Sequence, residues 1–252
     1  MRGGTGLRRT FVIALAVALT AALAPASLAG KECGRKPLKV LFLVNGCCHD
    51  FEKLPPMLAE KFKATGKFEF TITEDRQELI PSRIEKYDLA LFFTQGSDMT
   101  PEQEKGLTEF VSKGKGLAGI HSASDSFKNS DAYFKLLGGR FKGHGGGKFP
   151  VHFTARRNEV VKGMEDFEIQ DETYDHEFHP DAKLLILARR DKDSEPAVWI
   201  QYYGEGRVFY TGLGHGKEAW ENPSFQKLML RGLLWAAKRP VSETPRAACQ
   251  SK

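Results

Sequence analysis

Apolar residues along this chain keep two rhythms, short unbroken runs and longer stretches at helical spacing, and the two alternate through its first half. Lys39-Val-Leu-Phe-Leu-Val44 is an unbroken run, the pattern of a strand covered on both faces. Leu54, Met57, Leu58 and Phe62 then predict a helix from about Phe51 to Phe62. Phe68 to Thr73 and Leu89-Ala-Leu-Phe-Phe-Thr94 read as further strands, the second fully buried. Thr100 followed by Pro101 and Glu102 predicts a capped helix start, and that helix ends near Gly114. Leu117 to Ile120 is the next strand. Strand and helix alternating at this spacing predict right-handed crossovers around a mainly parallel sheet.

The second half is strand-rich. Val151 to Thr154, Leu184 to Ala188, Val198 to Tyr203 and Arg207 to Tyr210 read as strands, with Gly204-Glu205-Gly206 a hairpin signal between the last two. A closing helix from Pro223 to Lys238 sends Phe225, Leu228, Leu230, Leu233, Leu234 and Trp235 to the core, with Trp199 also read as core. Lys142-Gly-His144-Gly-Gly-Gly147 reads as a mobile loop able to close over a ligand, and Asp175-His176-Glu-Phe-His179-Pro180 as a solvated one. His152 alternates with Val151 and Phe153 and is read as a strand residue with no site role.

The amino terminus changes the reckoning. Arg2, Arg8 and Arg9 precede an apolar, Ala-rich run from Phe11 to about Leu23, and Ser27-Leu-Ala29 offers a signal-peptidase site, so residues 1–29 read as a removable leader. The run is short of the roughly 20 apolar residues of a membrane span. The expected location is periplasmic or extracellular, by the ordinary secretory route or, given Arg8-Arg9, the twin-arginine one. About 220 residues remain, enough for one α/β domain, and the tail over 240–252 reads as disordered. Lys and Arg number 37 against 32 Asp and Glu, with part of the excess in the leader, so neither a nucleic-acid partner nor a membrane span in the mature chain is expected. Cys33 and Cys249 lie near the mature ends and can pair in an oxidising compartment, whereas Cys47 and Cys48 read as small buried residues.

The chemistry concentrates at Gly116-Leu-Ala-Gly-Ile-His121-Ser-Ala-Ser-Asp125, a strand running into a small-residue turn that projects His121 over the carboxyl end of a sheet. His49 and Asp50 follow the first strand and reach the same edge. With His215 and Glu172 they form a set that either holds a divalent metal, zinc or manganese, through His49, His121 and His215, or serves as a metal-free acid/base site. Tyr174, Trp220 and Phe127 lie beside these residues and suit the apolar faces of sugars.

Six blocks in order resemble the ThuA-like, trehalose-utilisation family over nearly the whole mature chain, and the resemblance implies one domain over 38–239. The blocks are Asn45-Gly46 with His49-Asp50, Gly119-Ile-His121-Ser-Ala-Ser-Asp125, Leu137-Gly-Gly-Arg-Phe141, Asp171-Glu172-Thr-Tyr174, Gly206-Arg-Val-Phe-Tyr-Thr211-Gly-Leu-Gly-His215 and Gly232-Leu-Leu-Trp235-Ala. The resemblance implies the three-layer, flavodoxin-like fold of class I glutamine amidotransferases. There the elbow holds a cysteine nucleophile; His121 in its place excludes a thiol-dependent glutaminase. It implies His121 and His215 facing across the site, Gly96 and Ser97 in the region that supplies oxyanion donors, and Asp125 and Tyr174 among the substrate-binding residues.

The function the resemblance implies is action on a small-molecule carbohydrate, a hydrolase- or lyase-type reaction on an oxidised (keto) sugar or glycoside. His121 or Glu172 is the expected base and His215 the acid, with His49 and Asp50 fixing substrate or metal. A non-catalytic sugar-binding or sensing domain is the alternative, and a partner domain of an exported oxidoreductase a third.

Overall fold

The computed structural model describes Met1, residues 35–190 and 194–243. The leader over 1–29, Cys33, Cys249 and the tail beyond Glu243 lie outside the described residues. In chain order the elements are β1 (Leu38–Asn45), α1 (Leu54–Lys63), β2 (Phe68–Thr73), α2 (Pro81–Ile84), β3 (Leu89–Thr94), α3 (Pro101–Ser112), β4 (Gly116–Ile120), α4 (Asp131–Leu137), β5 (Gly139–Phe153), β6 (Phe167–Phe178), β7 (Leu185–Arg190), β8 (Pro196–Tyr203), β9 (Gly206–Thr211), α5 (Lys217–Glu221) and α6 (Pro223–Ala236).

All nine strands form one sheet in the order β2-β1-β3-β4-β9-β8-β7-β5-β6. The first five strands of that order pair in parallel, as the unbroken apolar runs predict. Beyond β9 every pairing is antiparallel, so the parallel character belongs to one half of a mixed sheet. Each inner strand feeds two cores. Val40, Phe42 and Val44 of β1 join Leu58 of α1 and Leu233 of α6 on one face, while Leu41 and Leu43 join Leu107 of α3 and Leu136 of α4 on the other. Helices therefore cover both faces, completing the α/β three-layer arrangement.

Local chemistry sets the boundaries. Thr100 accepts from the Gln103 amide while Gln103 reaches back to the Thr100 amide, a capping box that starts α3. Asn222 accepts from the amides of Ser224 and Phe225 at the start of α6. Tyr203 pairs with Gly206 across a two-residue turn, as the glycine signal predicts.

Three expectations are corrected. The segment around His144 is not a mobile loop but part of the 15-residue strand β5, to which Val151–Phe153 is only the end. Glycine-rich backbone there is held by a ladder with β6 running from Gly139↔Phe178 to Val151↔Phe167. His176 is likewise not in a solvated loop: it lies in β6 with its side chain buried, and His179 just beyond is buried as well. The start of the tail is docked, since Glu243 meets Arg231 at 2.9 Å and Lys227 at 3.2 Å. Trp199 and Trp235 are core, as expected. Among the described residues no helix is long and apolar enough to cross a membrane.

Candidate metal and carbohydrate site

Strand order reverses beside β1, which lies between β2 and β3, and the residues following the parallel strands gather at their carboxyl ends. His49 follows β1, His121 follows β4, and His215 follows β9. Their rings form a triangle, with centroids 5.2 Å apart for His49 and His121, 4.6 Å for His49 and His215, and 5.3 Å for His121 and His215. Glu172 enters from β6, part of the long β5–β6 hairpin arm, and completes the group. One ligand atom from each of the four lies within 4.8 Å of every other, so the set can hold a single ion.

Each member is held from outside the cluster. His121 sits on a strand-to-turn elbow with φ 42°, a left-handed conformation, and is fully buried. Its Nδ1 lies 2.7 Å from the Gly212 carbonyl oxygen, which can only accept, so that nitrogen carries the proton. Tyr174 packs on the ring, centroids 3.8 Å apart, and the Tyr210 hydroxyl donates to the His121 carbonyl at 2.8 Å. His49 Nδ1 lies 3.0 Å from the Cys47 carbonyl oxygen and carries its proton for the same reason. His215 follows Gly214, whose φ of 110° favours glycine. The amides of Gly214 and His215 donate to the two oxygens of Asp171 at 2.7 and 3.0 Å, so a buried carboxylate in β6 clamps the turn that carries His215.

The nitrogens left over face inward. Burial drives the His121 imidazole down to about 4, against its bonds to Glu172 and Gly212, so it is neutral at pH 7. Its single proton being on Nδ1, Nε2 presents a lone pair to Glu172 Oε2 at 3.1 Å. Burial alone would raise the Glu172 carboxyl, but in acid, where the imidazoles are protonated, the His121 contact and the charges of His215, His121 and His144 outweigh it and bring it down to about 2, so the carboxylate is already ionised when His121 loses its second proton. Two electron pairs thus confront each other. His49 Nε2 and His215 Nδ1 are buried with no hydrogen-bond partner, although His215 Nδ1 is only 3.0 Å from Glu172 Oε2. Burial also lowers His49. Imidazoles tied to carbonyls by one nitrogen, with the other bare and converging on a carboxylate, match the outer arrangement of metal-binding histidines.

A cleft of about 380 Å³ opens beside the cluster, lined by Gly145, Gly146, Gly147, Gln170, Asp171, Glu172, His215, Gly216 and Glu218. His144, next to Gly145 of that lining on β5, is 61% exposed, with Nδ1 2.7 Å from Glu172 Oε1. Burial pushes the Asp171 carboxyl up to about 7, against its amide bonds.

The other expected residues are placed differently. Asp50 is not among the clustered donors; its carboxylate accepts from the Lys53 amide at 2.9 Å, in the turn that leads into α1. The Gly96 amide donates to the Asp125 carbonyl, and Ser97 Oγ to Asn45 Oδ1, so neither of these groups is aimed at the cleft as a spare donor. Asp125 is buried between Gln95 Nε2 at 3.1 Å and Lys128 Nζ at 2.6 Å. Tyr174, Trp220 and Phe127 are not sugar-facing surfaces but buried rings, because the apolar body of each is enclosed by the core or by the hairpin arm. Cys47 and Cys48 are exposed rather than buried. His152 is a strand residue distant from the cluster and pairs with Asp166 at 2.9 Å.

Sequence reasoning put His144 in a ligand-closing loop but not against Glu172, and it gave Asp171 no clamping role; both depend on the pairing of β5 with β6, in which His144 faces Tyr174 and Gly147 faces Asp171.

The profile of a family described as ThuA, trehalose utilisation, matches residues 39–236. Among solved structures, a ThuA-like protein of Parabacteroides merdae superposes with TM-score 0.73 at 20% identity, covering 86% of this chain and 98% of that one. A ThuA-like protein of Bacteroides uniformis gives 0.70 at 19%, covering 85% and 97%. A β-galactosidase of Rahnella sp. R3 gives 0.59 at 13%, covering 82% of this chain and 33% of that one, a likeness of fold alone. No curated protein matches the chain.

Proposed function

The chain belongs to the ThuA, trehalose-utilisation, family, which gives it a carbohydrate-related role, and from that premise and its donor set we propose that it is a divalent-metal protein performing hydrolase- or lyase-type chemistry on an oxidised (keto) sugar or glycoside. On the reading of its leader it does so outside the cytoplasm.

The observation that carries the metal is the bare Nε2 of His121 facing the ionised Glu172 carboxylate at 3.1 Å. A cation held by both would turn mutual repulsion into shared ligation, and His49 Nε2 and His215 Nδ1, which lack hydrogen-bond partners, would complete the donor set. Nitrogen and carboxylate donors suit zinc or manganese. When bound, such an ion supplies Lewis-acid polarisation of a carbonyl or activation of water.

The chain's own residues do the rest. The cleft beside the cluster is in the lower part of the roughly 300–1,000 Å³ range of ligand pockets, and its wall of Asp, Glu, Gln and His suits hydroxyl groups. Spent as ligands, His121 and His215 leave the proton transfer to His144. Its ring is exposed, oriented by Glu172 Oε1, and next in the chain to Gly145 of the cleft wall. His144 removes the proton from the carbon beside the ketone and returns it to the departing oxygen, with hydration following.

Elemental analysis after chelator-free purification tests the reading. About one ion per chain is expected in the wild type, lost in His121→Ala, while His144→Ala keeps the ion and loses about 10²- to 10⁴-fold in turnover of a keto-disaccharide. Wild-type turnover in both His121→Ala and His215→Ala would sink the proposal. A sugar bound by the metal-loaded protein but recovered unchanged would make it a binding domain.

A further inference from the structure

The mechanism leaves one reactive feature at this site unused. Cys47 and Cys48 are adjacent, exposed and free, and their sulfur atoms lie 2.8 Å apart, closer than two non-bonded sulfurs ordinarily approach. Cys48 has φ 70°, a conformation a cysteine rarely adopts, and Gly46 before it has φ 135° with Gln95 packed where a side chain would begin. The turn is thus wound so that two consecutive side chains, which extended backbone would send to opposite sides, converge.

The same turn supports the cluster: the Cys47 carbonyl receives the Nδ1 proton of His49 at 3.0 Å. We propose that Cys47 and Cys48 are a redox pair that closes to a disulfide between neighbouring residues, and that closure displaces the Cys47 carbonyl, releases His49 and weakens metal binding. The second half rests on the metal reading given above; the first does not.

The chemistry balances with an external disulfide as oxidant. The thiolate of one cysteine attacks it, forming a mixed disulfide and expelling one thiol. The thiolate of the other then attacks the protein sulfur of that bond and expels the second. The two cysteines lose two electrons and two protons, and the external disulfide becomes two thiols. Adjacent Cα atoms are held about 3.8 Å apart by the peptide, short of the roughly 4.4–6.8 Å an unstrained bridge spans. The bond is therefore strained and easily reduced, a property of regulatory rather than structural disulfides. Closing an eight-membered ring through the Cys47–Cys48 peptide must turn that peptide, and the Cys47 carbonyl is part of it.

The full-length protein would be equilibrated with oxidised or reduced glutathione, the peptide carrying both cysteines weighed, and zinc affinity measured in each form. Oxidation is expected to remove the mass of two hydrogens from that peptide and to lower zinc affinity by roughly tenfold or more, the cost of losing an outer partner of a ligand. Cys48→Ser, reduced or exposed to oxidant, should bind zinc as the reduced wild type does. Thiols that stay free, bridges to glutathione or to a second chain, equal zinc affinity in the two forms, or weakened binding in reduced Cys48→Ser would each overturn the proposal. Failure of zinc to bind even the reduced wild type would remove the metal reading and the coupling with it, while the peptide mass still decides the disulfide.

Discussion

His121 has one proton and two neighbours that want it, and the buried Gly212 carbonyl at 2.7 Å takes it. Glu172→Gln separates electrostatics from ligation. The new amide donates to the lone pair of His121 Nε2 and still offers an oxygen to His144, so the metal-free variant should equal or exceed the wild type by about 1 kcal/mol in denaturant unfolding. Its metal affinity should collapse. A less stable metal-free variant would refute the facing lone pairs. Asp171→Asn tests support rather than ligation: one of the two amides at Gly214 and His215 loses its acceptor, and metal affinity should fall about 10- to 100-fold while His215 itself is unchanged. At this scale the sequence carried much of the site. Histidines 49 and 121 were legible because the ends of apolar strands carry side chains to one edge, and His215 because its glycine-rich block resembles the family's. Asp50 was not distinguishable from a ligand, since a carboxylate beside His49 serves equally to hold the turn before a helix, and only backbone geometry chooses.

Among the elements, the β5–β6 arm decides most. It delivers Glu172, His144 and Asp171, and neither strand was legible over its length, because the pairing backbone carries glycines and charged residues instead of an apolar alternation. The arm also buries His176 against Tyr210, whose hydroxyl lies 3.1 Å from its Nε2 and in turn supports His121. Burial holds His176 below its ordinary range, outweighing Glu195 and Asp175 and aided by Arg190. The unfolded chain therefore binds the proton more readily than the fold. Stability is full above about pH 6.5 and falls as pH drops below it. Urea midpoints between pH 5 and 7.5 should decline on the acid side in the wild type and decline less in His176→Gln, which cannot titrate. Parallel curves for the two proteins would deny His176 this part.

For the molecule as a whole, a metal held by this cluster would join the ends of β1, β4 and β9 to β6 and so would bind only the folded chain. At a hundredfold excess over Kd it would add about 2.7 kcal/mol, or roughly 5–10 °C in the thermal midpoint for a domain of this size. Zinc should produce that rise in the wild type and none in His215→Ala; an equal rise in both would place the bound ion elsewhere. The parallel half, its crossovers and the fully covered strands β3 and β4 were determined by the sequence itself, because burial on two faces demands unbroken apolar runs and helices need their own periodicity. So was the gathering of three histidines at one edge. Only the tertiary structure decided which carboxylate meets them, which nitrogens keep their protons, and that two neighbouring cysteines converge. Those depend on strand register and on carbonyls brought from distant parts of the chain, and hydrophobic pattern encodes neither.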